Sequence, residues 1–166
     1  MCRYLREHGF RHYEISNFCR DSRTGRHNLR YWRLEPYLGF GPAAHSDCFG
    51  ARYSNVRDLE SYITGIELGG AVLDEYEEIP ERERGLEYVM LSLRTTDGVD
   101  LDNLSRRFAV GGDPASTDRA RAVFRRLTAE GFSVYEGGGR WRLSDRGWLL
   151  SNSIILEVAE AMTGHA

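Results

Sequence analysis

The sequence predicts an α/β protein in two parts, and three observations carry that prediction. A strand-like segment, His12–Phe18, is followed by a polar-aromatic run, His27–Trp32, and a glycine-containing turn, Gly39–Ser46. Strand, ligand-competent loop and tight turn is the usual way an α/β protein builds a site on a fixed sheet. The texture changes near residue 74, where Asp74-Glu75-Tyr76-Glu77-Glu78 reads as an acidic linker. Beyond it the apolar spacing gives helix, helix, helix, hairpin, helix, the order of a winged-helix-like module over 79–163. The first part is expected over 1–73.

Taken in order, residues 1–8 read as the last turns of a helix with Tyr4 and Leu5 inward and Gly9 as its stop. Met1 then falls inside a helix with no cap before it, which suggests a missing front half. Residues 12–17 follow as a strand in an αβ unit, which calls for parallel partners that the chain supplies too sparsely. Asp21–Arg26 is polar and reads as a loop, continued by His27–Trp32. Tyr37–Gly41 forms a second short strand running into Pro42. Ser54 or Asn55 is expected to cap a helix bearing Leu59, Tyr62, Ile63 and Ile66, which ends at Gly69-Gly70.

In the second part Pro80 opens a helix with Leu86, Val89, Met90 and Leu93 at helical spacing. Asp100 caps a short helix with Leu101, Leu104 and Phe108 inward, and Gly111-Gly112 interrupts the chain. Ser116 or Thr117 opens a helix carrying Ala120, Val123, Phe124 and Leu127, with Gly131 after it. Two strands, 132–136 and 140–143, join through Gly137-Gly138-Gly139. Ser144 caps a last helix with Trp148, Ile154, Ile155, Val158 and Met162 on one face.

Composition narrows the function classes. The 166 residues are 41% hydrophobic and 28% charged, a globular balance without an apolar run long enough for a membrane span. The N-terminus carries charges where a signal peptide needs an apolar stretch, so the cytoplasm is the expected compartment. A net charge of −3 argues against nucleic-acid binding as the main task. Arg119, Arg121, Arg125, Arg126, Arg140 and Arg142 form a basic set, yet Asp118, Glu130 and Glu136 interleave it, so a solvated face is the expected reading. Cys2, Cys19 and Cys48 lie far apart and form no cluster-binding spacing; reduced thiols are expected.

His27 stands out as the candidate functional residue, a neutral imidazole on an exposed loop and so a possible metal ligand. Tyr31 and Trp32 follow four and five residues on, so either ring could pack on the same ligand if the loop folds back. The competing reading of His27-Asn28 is a turn device, with Asn28 bonding its own backbone. Gly39 and Gly41 let the backbone turn tightly or approach a ligand closely; both readings stand. Glu14 points either into a barrel or to solvent and is assigned no catalytic role. His8, His12 and His165 are expected on the surface.

Four motifs in this order, Tyr13–Phe18, His27-Asn28-Leu29-Arg30-Tyr31-Trp32, Tyr37–Ser46 and Arg52-Tyr53-Ser54-Asn55, resemble the radical S-adenosylmethionine family of oxygen-independent coproporphyrinogen III oxidases. The H-N-x-x-Y-W run is similar to its haem-chaperone branch, and Leu91–Arg94 with Leu143–Gly147 to its C-terminal domain. The resemblance implies the C-terminal portion of a partial (β/α) barrel followed by the winged-helix-like domain. It implies haem contact by His27, Asn28, Tyr31 and Trp32, with His27 as the axial ligand and delivery of haem to acceptor proteins. It places Gly39, Gly41, Ala44 and His45 beside an S-adenosylmethionine pocket in a full-length relative; His45 is a remote candidate for a second haem ligand.

One departure limits the implied chemistry. The family's C-x-x-x-C-x-x-C motif for a [4Fe-4S] cluster is absent, so this polypeptide is not expected to run radical chemistry alone. Coproporphyrinogen III oxidation, an interaction module without ligand and an inactive truncated product are the alternative expectations. An unpaired apolar sheet edge, and with it a tendency to aggregate, is also expected.

Overall fold

The computed structural model describes residues 2–108 and 114–164. The expected break at Gly111-Gly112 and His165 lie outside the described residues. In chain order the elements are α1 (Cys2–Glu7), β1 (Arg11–Glu14), β2 (Asn17–Cys19), α2 (Arg26–Trp32), β3 (His45–Cys48), β4 (Ala51–Asn55), α3 (Leu59–Glu67) and β5 (Leu73–Glu78). There follow α4 (Glu81–Ser92), β6 (Val99–Asp100), α5 (Leu101–Arg107), α6 (Pro114–Ala129), β7 (Ser133–Gly137), β8 (Arg140–Leu143), α7 (Asp145–Leu149) and α8 (Ser151–Thr163). The architecture is mixed α/β. It divides into two compact units, Met1–Leu34 with Glu81–Ala166, and Glu35–Pro80.

In the first unit, α4, α5, α6 and α8 enclose one hydrophobic core. Leu93, Val99, Leu101, Leu104, Phe124 and Val158 are fully buried in it. The caps the sequence marks are in place: the Asp100 carboxylate accepts from the Asn103 amide, and the Ser144 hydroxyl from the Gly147 amide. The wing is the β7–β8 hairpin, extended by β6 into an antiparallel sheet of order β6-β8-β7. Gly137, Gly138 and Gly139 all take positive φ, 90°, 56° and 75°, where a side chain would strain the turn. Trp141 of β8 stacks on Phe124 of α6 at 5.6 Å, locking hairpin to helix.

Two expectations change in detail here. The helix expected from Ser116 or Thr117 begins at Pro114, leaving both hydroxyl residues buried within it. The last helix is split at Leu150 into α7 and α8. Trp148 accounts for the position of α7: its indole N–H donates to the Leu93 carbonyl at 3.0 Å, a buried bond between distant segments.

The N-terminal segment of this unit departs further from expectation. The strand expected over 12–17 is an antiparallel hairpin, β1 and β2, turning at Ile15-Ser16. The Glu14 carboxylate accepts from the Ser16 amide at 3.2 Å and so supports a turn that contains no glycine or asparagine. Glu14 is fully buried, which decides between its two expected orientations. The other edge of β1 is taken by residues 94–96: Ile15 N–H donates to Arg94 O and Thr96 N–H to Tyr13 O, at 2.8 and 3.0 Å. Tyr4 is exposed rather than inward. His12 is no surface residue; its ring stacks on Phe18 at 4.2 Å and meets the edge of Trp148 at 4.4 Å.

The second unit is an antiparallel sheet of order β3-β4-β5 with α3. Asp58 caps α3, not Ser54 or Asn55, which lie buried in β4. Tyr37 makes a single antiparallel bridge to Asp47 instead of a strand over 37–41. The expected linker at 74–78 is strand β5, paired with β4 from Ala51↔Glu78 to Asn55↔Leu73. It is exposed along its whole length. This edge carries Asp74, Glu75, Glu77 and Glu78, and repulsion between copies of them discourages pairing along it.

Candidate functional site

The run His27–Trp32 is not a loop. It forms most of α2, a helix of 7 residues. An isolated helix of two turns is unstable in water, so tertiary contacts must hold it. Leu29 supplies one, buried at 8% exposure in a small cluster with Tyr13 and Cys19, with Trp32 packed at its margin. At the N-terminal end the Gly25 amide donates to the Tyr13 hydroxyl at 3.1 Å. At the C-terminal end Arg33 donates from Nε and Nη2 to Asp97 at 3.0 and 2.9 Å. Arg107 adds bonds to the carbonyls of Arg33 and Leu34, each at 3.3 Å. The helix is clamped at both ends and pinned through its middle.

That anchoring decides which motif residues face outward. His27 and Tyr31, four residues apart, share one helix face. The Tyr31 hydroxyl and His27 Nε2 share a hydrogen bond of 3.0 Å, and the rings meet edge to face at 4.9 Å and 85°. Both side chains and Asn28 are exposed, while Trp32 is turned toward the cluster. The arrangement presents one imidazole on a fixed, open surface. Its Nε2 is reached once the Tyr31 hydroxyl gives way. Tyr13, Arg33, Asp97 and Arg107 are positioning residues that sequence reasoning missed, because nothing in the spacing links positions 33 and 97.

The glycine turn belongs to the other unit. A Cβ on Gly39 would run into the His45 carbonyl, so this position requires glycine. Gly41 has φ of 101°. The backbone amides expected to greet a ligand are already engaged: Gly39 N–H donates to Ser46 Oγ at 3.0 Å and Gly41 N–H to the Tyr62 hydroxyl at 3.2 Å. Asn55 Nδ2 donates to the Gly41 carbonyl at 2.9 Å, and the Asn55 amide to Ala44 O at 2.9 Å. Ala44 precedes β3 and the exposed His45 begins it, at the edge of the sheet next to β4.

The remaining candidates resolve simply. Cys19 and Cys48 are buried and Cys2 half-buried. Among the described residues no three His, Cys, Asp or Glu side chains converge as a metal site. This donor set does not fit an iron–sulfur cluster, which takes several convergent thiolates. Of the basic set, Arg119 donates to the carbonyls of Ala161 and Met162, and Arg121 pairs with Asp102 and Asp118. Arg126 pairs with Glu130 and Glu157, Arg140 with Asp100, and Arg142 with Glu136. Most of these guanidinium groups tie elements together. Among the described residues no helix is long and apolar enough to cross a membrane.

Residues 79–150 match the model of the HemN C-terminal domain. The chain's second half is similar to that domain family. The chain is 32% identical over 151 residues to the haem chaperone HemW of Bacillus subtilis, covering 91% of this chain and 38% of that protein. To HemW of Mycobacterium tuberculosis strain H37Rv it is 34% identical over 149 residues, covering 89% and 34%. The structure of coproporphyrinogen III oxidase (HemN) from Escherichia coli, described as a radical SAM enzyme, superposes with a TM-score of 0.66 at 16% identity. That match covers 95% of this chain and 38% of the enzyme, and it shows the shared fold. The likeness to the C-terminal part of this radical SAM, coproporphyrinogen oxidase-like group is thus shown, and the chain spans about two fifths of its relatives' length.

Proposed function

We propose that this chain binds haem as cargo on the outward face of α2 and passes it to an acceptor protein in the cytoplasm. The observation that carries the reading is the His27–Tyr31 pair, exposed on a helix whose other contacts hold it rigid. His27 Nε2 ligates the iron and the ring of Tyr31 lies along the macrocycle, with Asn28 at its edge; Trp32, expected from the sequence to join them, packs on the inner cluster and anchors the helix instead. An open ligand on one side of the iron gives exchangeable rather than permanent binding, as delivery requires. The names of the HemW relatives support haem as the ligand. In a full-length relative, the segment containing Gly39, Gly41, Ala44 and His45 would border S-adenosylmethionine, with the [4Fe-4S] cluster held by residues outside this chain.

The test is a ferric haem titration of the purified chain, followed by its Soret band, beside His27→Ala. A saturable shift that the substitution weakens at least about tenfold supports ligation by His27, since a lost ligand bond exceeds one ordinary hydrogen bond. A shift unmoved by the substitution removes His27 as ligand. Absence of a saturable shift from folded protein overturns haem binding by this chain.

A further inference from the structure

Arg125 differs from the other arginines of α6, for it makes no hydrogen bond or ion pair among the described residues. It lines a cavity of about 520 Å³ between α6 and the β7–β8 wing, within the size range of small-molecule sites. Arg121, Arg125 and Thr128 line one side at helical spacing, and the rings of Tyr135 and Trp141 line the other. Arg121 is paired with Asp118 and with Asp102, which also lines the cavity, so the guanidinium there without a carboxylate partner among the described residues is that of Arg125.

The aromatic wall is fixed. Trp141 is buried at 6% and stacked on Phe124, and the Tyr135 ring lies 4.6 Å from it at 39° while remaining 51% exposed. The Tyr135 hydroxyl accepts from the Gly139 amide at 3.4 Å, which leaves its own proton to donate. Gly139 in turn backs onto Asp102, whose carboxylate occupies the space a Cβ would need. A half-exposed aromatic face beside a guanidinium without a partner is complementary to a flat ring that carries negative charge.

We infer that the cavity between α6 and the wing is a binding site for a small planar aromatic carboxylate, its ring against Tyr135 and its carboxylate on Arg125. The site is separate from the α2 face and does not depend on haem handling.

The test is a titration of the full chain with 2-naphthoate, followed by amide and indole NMR shifts without haem. Saturable shifts are expected at Gly139, Thr128 and the Trp141 indole. Arg125→Gln should weaken binding about tenfold, the value of one charge-assisted bond. The neutral analogue 2-naphthalenemethanol should bind wild-type protein about tenfold more weakly for the same reason. Tyr135→Leu should cost about fivefold through the lost ring contact. Shifts that never saturate, or that map to the apolar face of α3, overturn the inference. So does equal binding of the charged and neutral probes to wild-type protein, a comparison that needs no variant to fold.

Discussion

Tyr31→Phe is the sharpest probe of how α2 would meet iron. The Tyr31 hydroxyl occupies His27 Nε2 at 3.0 Å, the atom that would coordinate. Ligation must break that bond, and solvent repays part of it because both side chains are exposed. A hydrogen bond of this kind is worth about 0.5–1.5 kcal/mol net, and its exposure favours the lower half of that range. Phenylalanine keeps the edge-to-face ring contact with His27 and removes only the hydroxyl. The variant should therefore bind ferric haem about two- to fivefold more tightly, read by Soret titration against a competing apoprotein. Circular dichroism would confirm that α2 persists, since Leu29 and the end clamps are untouched. Weaker binding by Tyr31→Phe would refute the reasoning. It would show that the hydroxyl orients the imidazole for coordination through the other nitrogen, as outer partners of ligating histidines often do.

Other outcomes follow from the same structure. Hydrogen bonds from the Ser61 hydroxyl and amide, at 2.6 and 2.8 Å, hold the Asp58 carboxyl below the usual carboxylate range. A depressed folded value means the contribution to α3 is complete above the unfolded value, about 3.9, and is lost as pH falls through the folded one. Asp58→Ala should therefore lower α3 protection at pH 7, and the difference from wild type should vanish in acid; a gap that persists at low pH would contradict the cap. Amide exchange should also separate the two units, because both hydrophobic clusters lie in the one that contains α6. Amides of β4 should exchange at least about a hundredfold faster than those in the middle of α6, and equal protection would refute this.

The winged-helix-like half was legible in the sequence because its signals are local and agree with one another. Asp100 and Ser144 sit before apolar stripes and cap them, and the glycine triplet demands the positive φ that only such a turn uses. The first half was not legible for an opposite reason. β5 has no alternating apolar pattern, since it buries nothing; backbone pairing with β4 alone makes it a strand. The β1–β2 turn lacks glycine and proline and relies on the buried Glu14 carboxylate. α2 lacks a side-chain cap and is helical because Tyr13, Leu29 and Asp97 hold it. Motif identity pointed to His27 and Tyr31, but only the helix explains why they meet and Trp32 turns aside.

The anchoring of α2 also explains how so small an element can serve a ligand. Each clamp comes from a different stretch of the same unit: Tyr13 from β1, Asp97 from the turn before β6, and Arg107 from the end of α5. The turn before β6 is itself bound to β1, through Thr96 to Tyr13 O at 3.0 Å from the amide and 3.1 Å from the hydroxyl. The hairpin, the helix and the winged core therefore form one connected framework around the outward face. Fixing an imidazole on such a framework would lower the entropy cost of ordering a loop in the haem binding proposed above. The exposure of His27 and Tyr31 would leave that ligand open to solvent, which favours exchange over permanent retention.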